Sequence, residues 1–355
     1  MLGELNKDGD FSIVADENES DVVVINTCAF IEAAKEEAIN TILEFVEKKK
    51  ENLKSVIVTG CLAQRYKKEI LEKIPEVDAV LEINSQQQIK KAIKNSLKKN
   101  NTKKFYNEPT LKTTNCKKVR VISTPSHYAY LKIAEGCNNF CSYCAIPYIR
   151  GRFKSKPIEE ILKEAKWLEE KNVKELILIA QNTAYYGLDL YNELKLEELL
   201  KKLSKLNFKW IRLLYLYPEL IKESLIKTIA KTKNILPYFD LPIQHINDLI
   251  LEKMNRKTNS KQIIEKINLI RKIIPNATIR TSLIAGFPGE TEEQFNELLN
   301  FIKKIKFNRL GCFKYSNEEG TKSFNFKNQI SEKVKLKRTH LIYEESEKII
   351  KKQAK

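Results

Sequence analysis

Three cysteines stand together in the segment GCNNFCSYC: Cys137, Cys141 and Cys144, spaced C-x3-C-x2-C directly after the apolar run YAYLKIAE. Thiolates grouped in this way bind soft metals. Zinc ribbons usually pair two C-x2-C units into a closed tetrahedral site, and this segment offers a single such unit. Cys116 and His127, both upstream, are candidates for a fourth ligand. The other reading is a four-iron cluster, in which three thiolates leave one iron without a protein ligand and free to hold a small molecule. A loop that follows a buried strand, where ligands gather, favours the iron–sulfur reading over structural zinc.

Other residues carry weaker chemical signals. Cys28 closes the apolar run DVVVINTC and Cys61 closes SVIVTGC. Either alone reads as a small buried residue; together, at equivalent strand ends, they are placed to converge on one site. GFPGE (286–290) brings Gly286 and Gly289 to a strand end, where glycines let a backbone approach a bound cofactor, although a turn before a helix uses the same residues. His245 reads as structural and Cys312, inside an apolar strand, as core. The sequence contains no HExxH, Walker loop or Ser/His/Asp arrangement.

The elements that must position these residues alternate. Strand patterns at 21–28, 55–61 and 77–83 alternate with helical patterns at 29–50, within AQRYKKEILEKI and around 85–97, which predicts a small parallel α/β domain over 1–97. Residues 98–126 are polar and basic without periodicity and read as a linker. From 127 the alternation resumes, with strands expected at 128–134, 175–180, 210–216, 238–242, 277–286 and 309–315. Helices are expected near 157–172, 194–205, 219–232, 259–274 and 291–305. A complete eight-fold barrel needs about 250 residues, so an open (β/α)6 partial TIM barrel is expected over 127–330, followed by a helical segment over 331–355. Ligands of such sheets gather at the carboxyl ends of the strands, and GCNNFCSYC begins at the first of these.

The chain of 355 residues is 42% hydrophobic and 31% charged, enough for a real core. It has no 18-residue apolar run and no basic-then-apolar leader, so a cytoplasmic protein without a membrane span is expected. Seven cysteines without an export signal argue for thiols or metal ligands rather than disulfides. The net charge of +17 suggests acidic partners such as a ribosomal RNA surface, though lysines scattered along helices carry much of it.

CNNFCSYC after the first strand of a six-fold β/α barrel resembles the signature of the radical S-adenosylmethionine superfamily, to which the aromatic Tyr143 also belongs. The resemblance implies a [4Fe–4S] cluster on Cys137, Cys141 and Cys144 whose open iron chelates S-adenosylmethionine, and it puts Gln181 of QNT (181–183) where the methionine part of that cofactor binds. The N-terminal stretches NTCAFIEAAKEEAI and VTGCLAQRY resemble the methylthiotransferases. These carry a second [4Fe–4S] cluster, with Cys28 and Cys61 as the matching ligands.

Within that group the chain is similar to the type that modifies an aspartate of a small-subunit ribosomal protein (the RimO type). The matching stretches include KIAEGCNNFCSYCAIPYIRGRFKSKP, LLYLYPE, YFDLPIQHINDLILEKMNR, IRTSLIAGFPGETEEQF and RLGCFKYSNEEGT. The related tRNA-adenosine enzymes usually carry Gln-Ser-Gly-Ser where this chain reads QHIND. The resemblance implies methylthiolation of the aspartate β-carbon by a monomer that takes electrons from a flavodoxin or ferredoxin. It also implies a third N-terminal cysteine ahead of Met1 and a C-terminal TRAM barrel. Neither is in this sequence, and a chain trimmed at both ends is expected. A zinc-stapled nucleic-acid-binding protein is the rival from another class.

Overall fold

The computed structural model describes residues 1–6, 9–98, 104–107 and 120–353. Cys116 lies outside the described residues. The chain forms two compact units, Met1–Ser123 and Thr124–Lys355.

The first unit is a parallel four-stranded sheet in the order β1 (Val22–Thr27), β2 (Ser55–Gly60), β3 (Ala79–Leu81) and β4 (Phe105–Tyr106). Every residue of β2 is buried, as expected of a central strand covered on both faces. The amphipathic helix Glu32–Lys48 buries Ala38 and Ile42 and runs from an acidic first turn to a basic last one, the polarity that the helix dipole favours. Two details differ from the sequence reading. The helix expected in AQRYKKEILEKI is broken at Tyr66 (φ −129°, ψ 33°) into Cys61–Arg65 and Lys67–Lys73. The polar stretch 98–126 contributes a strand: Phe105 and Tyr106 pair with β3, and the Tyr106 ring is fully buried.

The second unit opens with β5 (Tyr128–Lys132). The short antiparallel pair β6 (Ala134–Glu135) and β7 (Lys154–Ser155) follows, bracketing the cysteine loop. Then come β8 (Glu175–Ile179), β9 (Trp210–Leu213), β10 (Tyr238–Gln244), β11 (Thr278–Ala285) and β12 (Arg309–Lys314). β5-β8-β9 and β10-β11-β12 form two parallel three-stranded sheets. Their seam is stitched by Ile211, whose N–H donates to the Asn234 carbonyl at 2.7 Å and whose carbonyl accepts from the Leu236 N–H at 2.9 Å. Asp240 also spans it, accepting the Tyr215 N–H at 3.1 Å and pairing with Arg280 at 2.6 Å. With β5 and β12 unpaired to each other among the described residues, this is the open six-stranded arrangement of β/α units.

The helices Ile158–Glu170, Leu196–Leu203, Glu223–Lys231, Ser260–Ile273 and Glu292–Ile305 follow the first five parallel strands. Capping boxes on Asn259/Gln262 and Thr291/Gln294 fix where two of them start. The final helix, Glu332–Gln353, lies against β12, where the Tyr343 hydroxyl bonds both backbone groups of Cys312. Among the described residues no helix is long and apolar enough to cross a membrane.

Gly60 ends β2 at φ +98°, and a Cβ there would stand 2.3 Å from the Thr27 carbonyl oxygen. Backbone that close cannot yield cheaply. Gly60→Ala is therefore expected to destabilise the first unit by at least about 2 kcal/mol, read as lost amide-exchange protection in β1 and β2 with the second unit unchanged.

Candidate metal centre

A loop that buries thiols must find partners for its own backbone without water. Gly136 starts the cysteine loop at φ +79°, with the Arg152 carbonyl 2.2 Å from where a Cβ would be, so the chain turns tightly under β7. The Cys137 N–H donates to Gly151 at 3.1 Å, and the Asn138 side chain accepts the Phe153 N–H at 3.0 Å. Further ties come from the end of the helix Asp248–Lys253, which follows β10. Ser142 donates its N–H to the Met254 carbonyl at 3.0 Å and its hydroxyl to the Lys253 carbonyl at 2.7 Å. Asn255, in the left-handed region at φ +55°, donates to the Phe140 carbonyl at 2.8 Å. Phe140 is itself left-handed, at φ +49°, and the loop's fixed ends hold it there.

Cys137 and Cys141 are buried and Cys144 is partly exposed. Burial is the main force pushing the Cys137 and Cys144 thiols upward, and the neighbouring Cys141 adds to it in both. The three sulfurs therefore share one electrostatic environment. A cationic iron–sulfur group would take them as thiolates and release their protons.

Two side chains that sequence reasoning did not single out complete the surroundings. The Tyr217 hydroxyl stands 3.7 Å from Cys141 Sγ, and Arg256 Nη1 stands 3.9 Å from the same sulfur. The fully buried Arg256 guanidinium also bonds the Pro242 carbonyl at 3.0 Å, pairs with Glu219 at 3.2 Å and lies 4.3 Å from the Tyr217 ring centre. Burial, then Cys141, pushes the Tyr217 phenol well above its ordinary range, so it remains a donor. The only sequence signal for these residues was their place in LLYLYPE and EKMNR.

The remaining candidates fall as follows. Tyr143 packs beside Ile250, Met254, Ile284, Phe287 and Tyr315. Gln181, just past β8, donates to Glu135 at 3.2 Å, and its amide oxygen is buried without a protein partner. Gly286 has φ +76°, and the space beside it is filled by Lys335 of the last helix, 2.4 Å from a Cβ position. Gly289 borders an open cleft of about 380 Å³ with Lys253, Pro288, Phe326 and Asn328. His245 is fully buried: its Nδ1 accepts the Asn247 N–H at 3.0 Å and its Nε2 faces Glu290 at 3.3 Å. Glu290 also binds Arg338 of the last helix at 3.0 Å and accepts the Gly286 N–H. Cys312 is core, with burial pushing its thiol up to about 12. His127 precedes β5 while the cysteine loop follows it, about 16 Å of extended chain away, so it does not close the site.

In the first unit the register pairs Thr27 with Gly60. Cys28 and Cys61 therefore follow directly from the ends of neighbouring strands, about 5 Å apart. Cys28 is exposed, and Cys61, buried, starts the helix Cys61–Arg65.

The donor set suits an iron–sulfur cluster with a polar ligand. Soft thiols converge with a cationic guanidinium beside them. Around the same carboxyl ends of the strands, Asn139 Nδ2, Gln181 Oε1, Asn182 Oδ1, Glu219 Oε2 and Arg256 Nε are buried without a hydrogen-bond partner among the described residues, and a bound amino acid-like group would supply those partners.

Comparison with known proteins agrees. The Radical SAM superfamily model matches residues 131–302, and the model described as Uncharacterized protein family UPF0004 matches residues 1–82. The chain is 50% identical over 346 residues to the "Ribosomal protein uS12 methylthiotransferase RimO" of Clostridioides difficile (strain 630), covering 95% of this chain and 76% of that protein. It is 47% identical over 352 residues to the protein of the same name in Clostridium tetani (strain Massachusetts / E88), covering 99% and 78%. Among solved structures it is similar in fold to the radical S-adenosylmethionine methyltransferase TsrM from Kitasatospora setae. The TM-score is 0.63 at 12% identity, over 82% of this chain and 63% of that one.

Asn255 both tolerates the left-handed backbone and tethers Phe140. Asn255→Ala is expected to loosen the cysteine loop by about 1–3 kcal/mol, measured as faster amide exchange at Ser142 and Cys144 with β11 unaffected.

Proposed function

We propose, from the premise that this chain belongs to the RimO family of radical S-adenosylmethionine methylthiotransferases, that it attaches a methylthio group to the β-carbon of an aspartate in ribosomal protein uS12. It is an enzyme that transfers a methylthio group. The observation that carries the reading is the trio Cys137, Cys141 and Cys144, in the loop past the carboxyl end of β5 beside orphaned polar groups.

In this reading a [4Fe–4S] cluster on those thiols, with S-adenosylmethionine at its open iron, supplies the hydrogen-abstracting chemistry, and a second S-adenosylmethionine supplies the methyl group. The protein's own part is to hold, orient and shield. Ser142 and Asn255 fix the loop, so the three sulfurs are set before any ligand arrives. Gln181, anchored on Glu135, keeps its buried amide oxygen without a protein partner and available to a ligand. Glu135 stays ionised because Lys132 and Arg150 outweigh its burial. Tyr143 covers the loop on its apolar side and keeps water from it. Gly289 leaves the cleft next to Lys253 open.

Cys28 and Cys61 serve in the same reading as two ligands of a second [4Fe–4S] cluster, which holds or delivers sulfur. The partners are uS12, the ribosomal RNA surface around it, to which a net charge of +17 is attracted, and an electron donor of flavodoxin or ferredoxin type. The protein acts as a monomer in the cytoplasm.

Anaerobic reconstitution with iron and sulfide is expected to load about four irons at the barrel site, and Cys141→Ala to lose them together with 5′-deoxyadenosine formation. Colourless, zinc-loaded protein would overturn the reading. Expressed in a bacterium lacking its own enzyme, the chain is expected to add a methylthio group to uS12, seen by peptide mass spectrometry. Methylthiolated tRNA adenosine with unmodified uS12 would reassign the substrate.

A further inference from the structure

The cysteine loop is not surrounded evenly. Tyr217 and Arg256 both approach Cys141 Sγ, at 3.7 and 3.9 Å. They reach it from different segments, Tyr217 just past β9 and Arg256 past the helix Asp248–Lys253 that follows β10, so their convergence is a property of the assembled barrel. Arg256 is held on its other sides: Nη2 bonds the Pro242 carbonyl and Glu219, and the guanidinium plane stacks near the Tyr217 ring. Nη1 is thereby left aimed at the sulfur, and Nε–H is buried with no acceptor among the described residues. The Glu219–Arg256 pair thus presents its positive end to the site through Nη1. Burying an arginine costs free energy unless it is fully paired, so a guanidinium with an unfilled donor beside a thiol is not explained by packing alone.

We propose that Tyr217 and Arg256 set the reduction potential of the cluster bound at Cys141, by directing an O–H, N–H groups and a buried positive charge at its sulfurs. Such contacts stabilise the more negative, reduced state, because added electron density meets donors already in place. They make this cluster easier to reduce than one held by the same three thiolates without them. Both residues are positioning residues, acting through the ligand sulfur. The inference rests on the cluster reading above.

Redox titration of the full, reconstituted chain tests it, following the EPR signal that responds to added S-adenosylmethionine. Tyr217→Phe keeps the ring against Arg256 and deletes only the hydroxyl; its midpoint potential is expected to shift negative. Arg256→Gln is expected to shift further in the same direction. Tyr186→Phe, which loses a buried hydroxyl bonded to the Lys156 carbonyl, is expected to match the unchanged chain. A loaded Tyr217→Phe with an unchanged midpoint overturns the proposal, as does loss of the cluster on deletion of that single hydroxyl, which would make Tyr217 a support for the ligand and not a tuner. If Arg256→Gln fails to hold iron, the Tyr217→Phe midpoint decides alone. An unchanged chain that binds no iron sinks the cluster reading itself, a result distinct from loaded variants of equal potential.

Discussion

A thiol loop can be buried only if the backbone that carries it is satisfied from elsewhere, and here most of that satisfaction comes from the far half of the barrel. Ser142 and Phe140 are bonded by Lys253, Met254 and Asn255, and the Ser142 carbonyl accepts the Ser323 N–H at 2.8 Å. The loop belongs to the β5-β8-β9 sheet by sequence and to the β10-β11-β12 sheet by hydrogen bonding. This makes the Ile211 seam between the two sheets part of the site's support. A shift at the seam would move the tethers relative to the cysteines, and rigid placement within fractions of an ångström is what such centres need.

The same economy appears at the other strand ends. GFPGE follows β11, where cofactors gather, yet its glycine and glutamate look toward the last helix: Lys335 fills the space beside Gly286, and Glu290 joins His245 to Arg338. The loop is braced from behind, leaving Gly289 to face the cleft. In the first unit Gly60 plays the comparable part, letting two strand ends close to backbone contact so that Cys28 and Cys61 leave from adjacent positions.

Much of this was legible in the residues. Buried parallel strands are apolar runs, so ELILI and SVIVTG announce themselves, and capping residues such as Thr291 mark where helices begin. Cys137, Cys141 and Cys144 stood out because three thiols spaced C-x3-C-x2-C make a pattern local enough to read directly. Phe105–Tyr106 was not, because two residues in a polar stretch make no period. Tyr217 and Arg256 were not, because their meaning lies in proximity to a sulfur 76 and 115 residues away, which no local pattern encodes. The contact of Gly286 with Lys335, 49 residues later, is likewise invisible in the local pattern.

The wiring of the loop has a temporal side. A ribosome makes Cys141 115 residues before Arg256 and Ser142 well before Ser323, so for a long stretch of synthesis the three thiols lack every tether from the far half of the barrel. Glu290 likewise waits for Arg338, 48 residues later. The order of translation therefore separates the appearance of the cysteines from closure of the far half of the barrel around them.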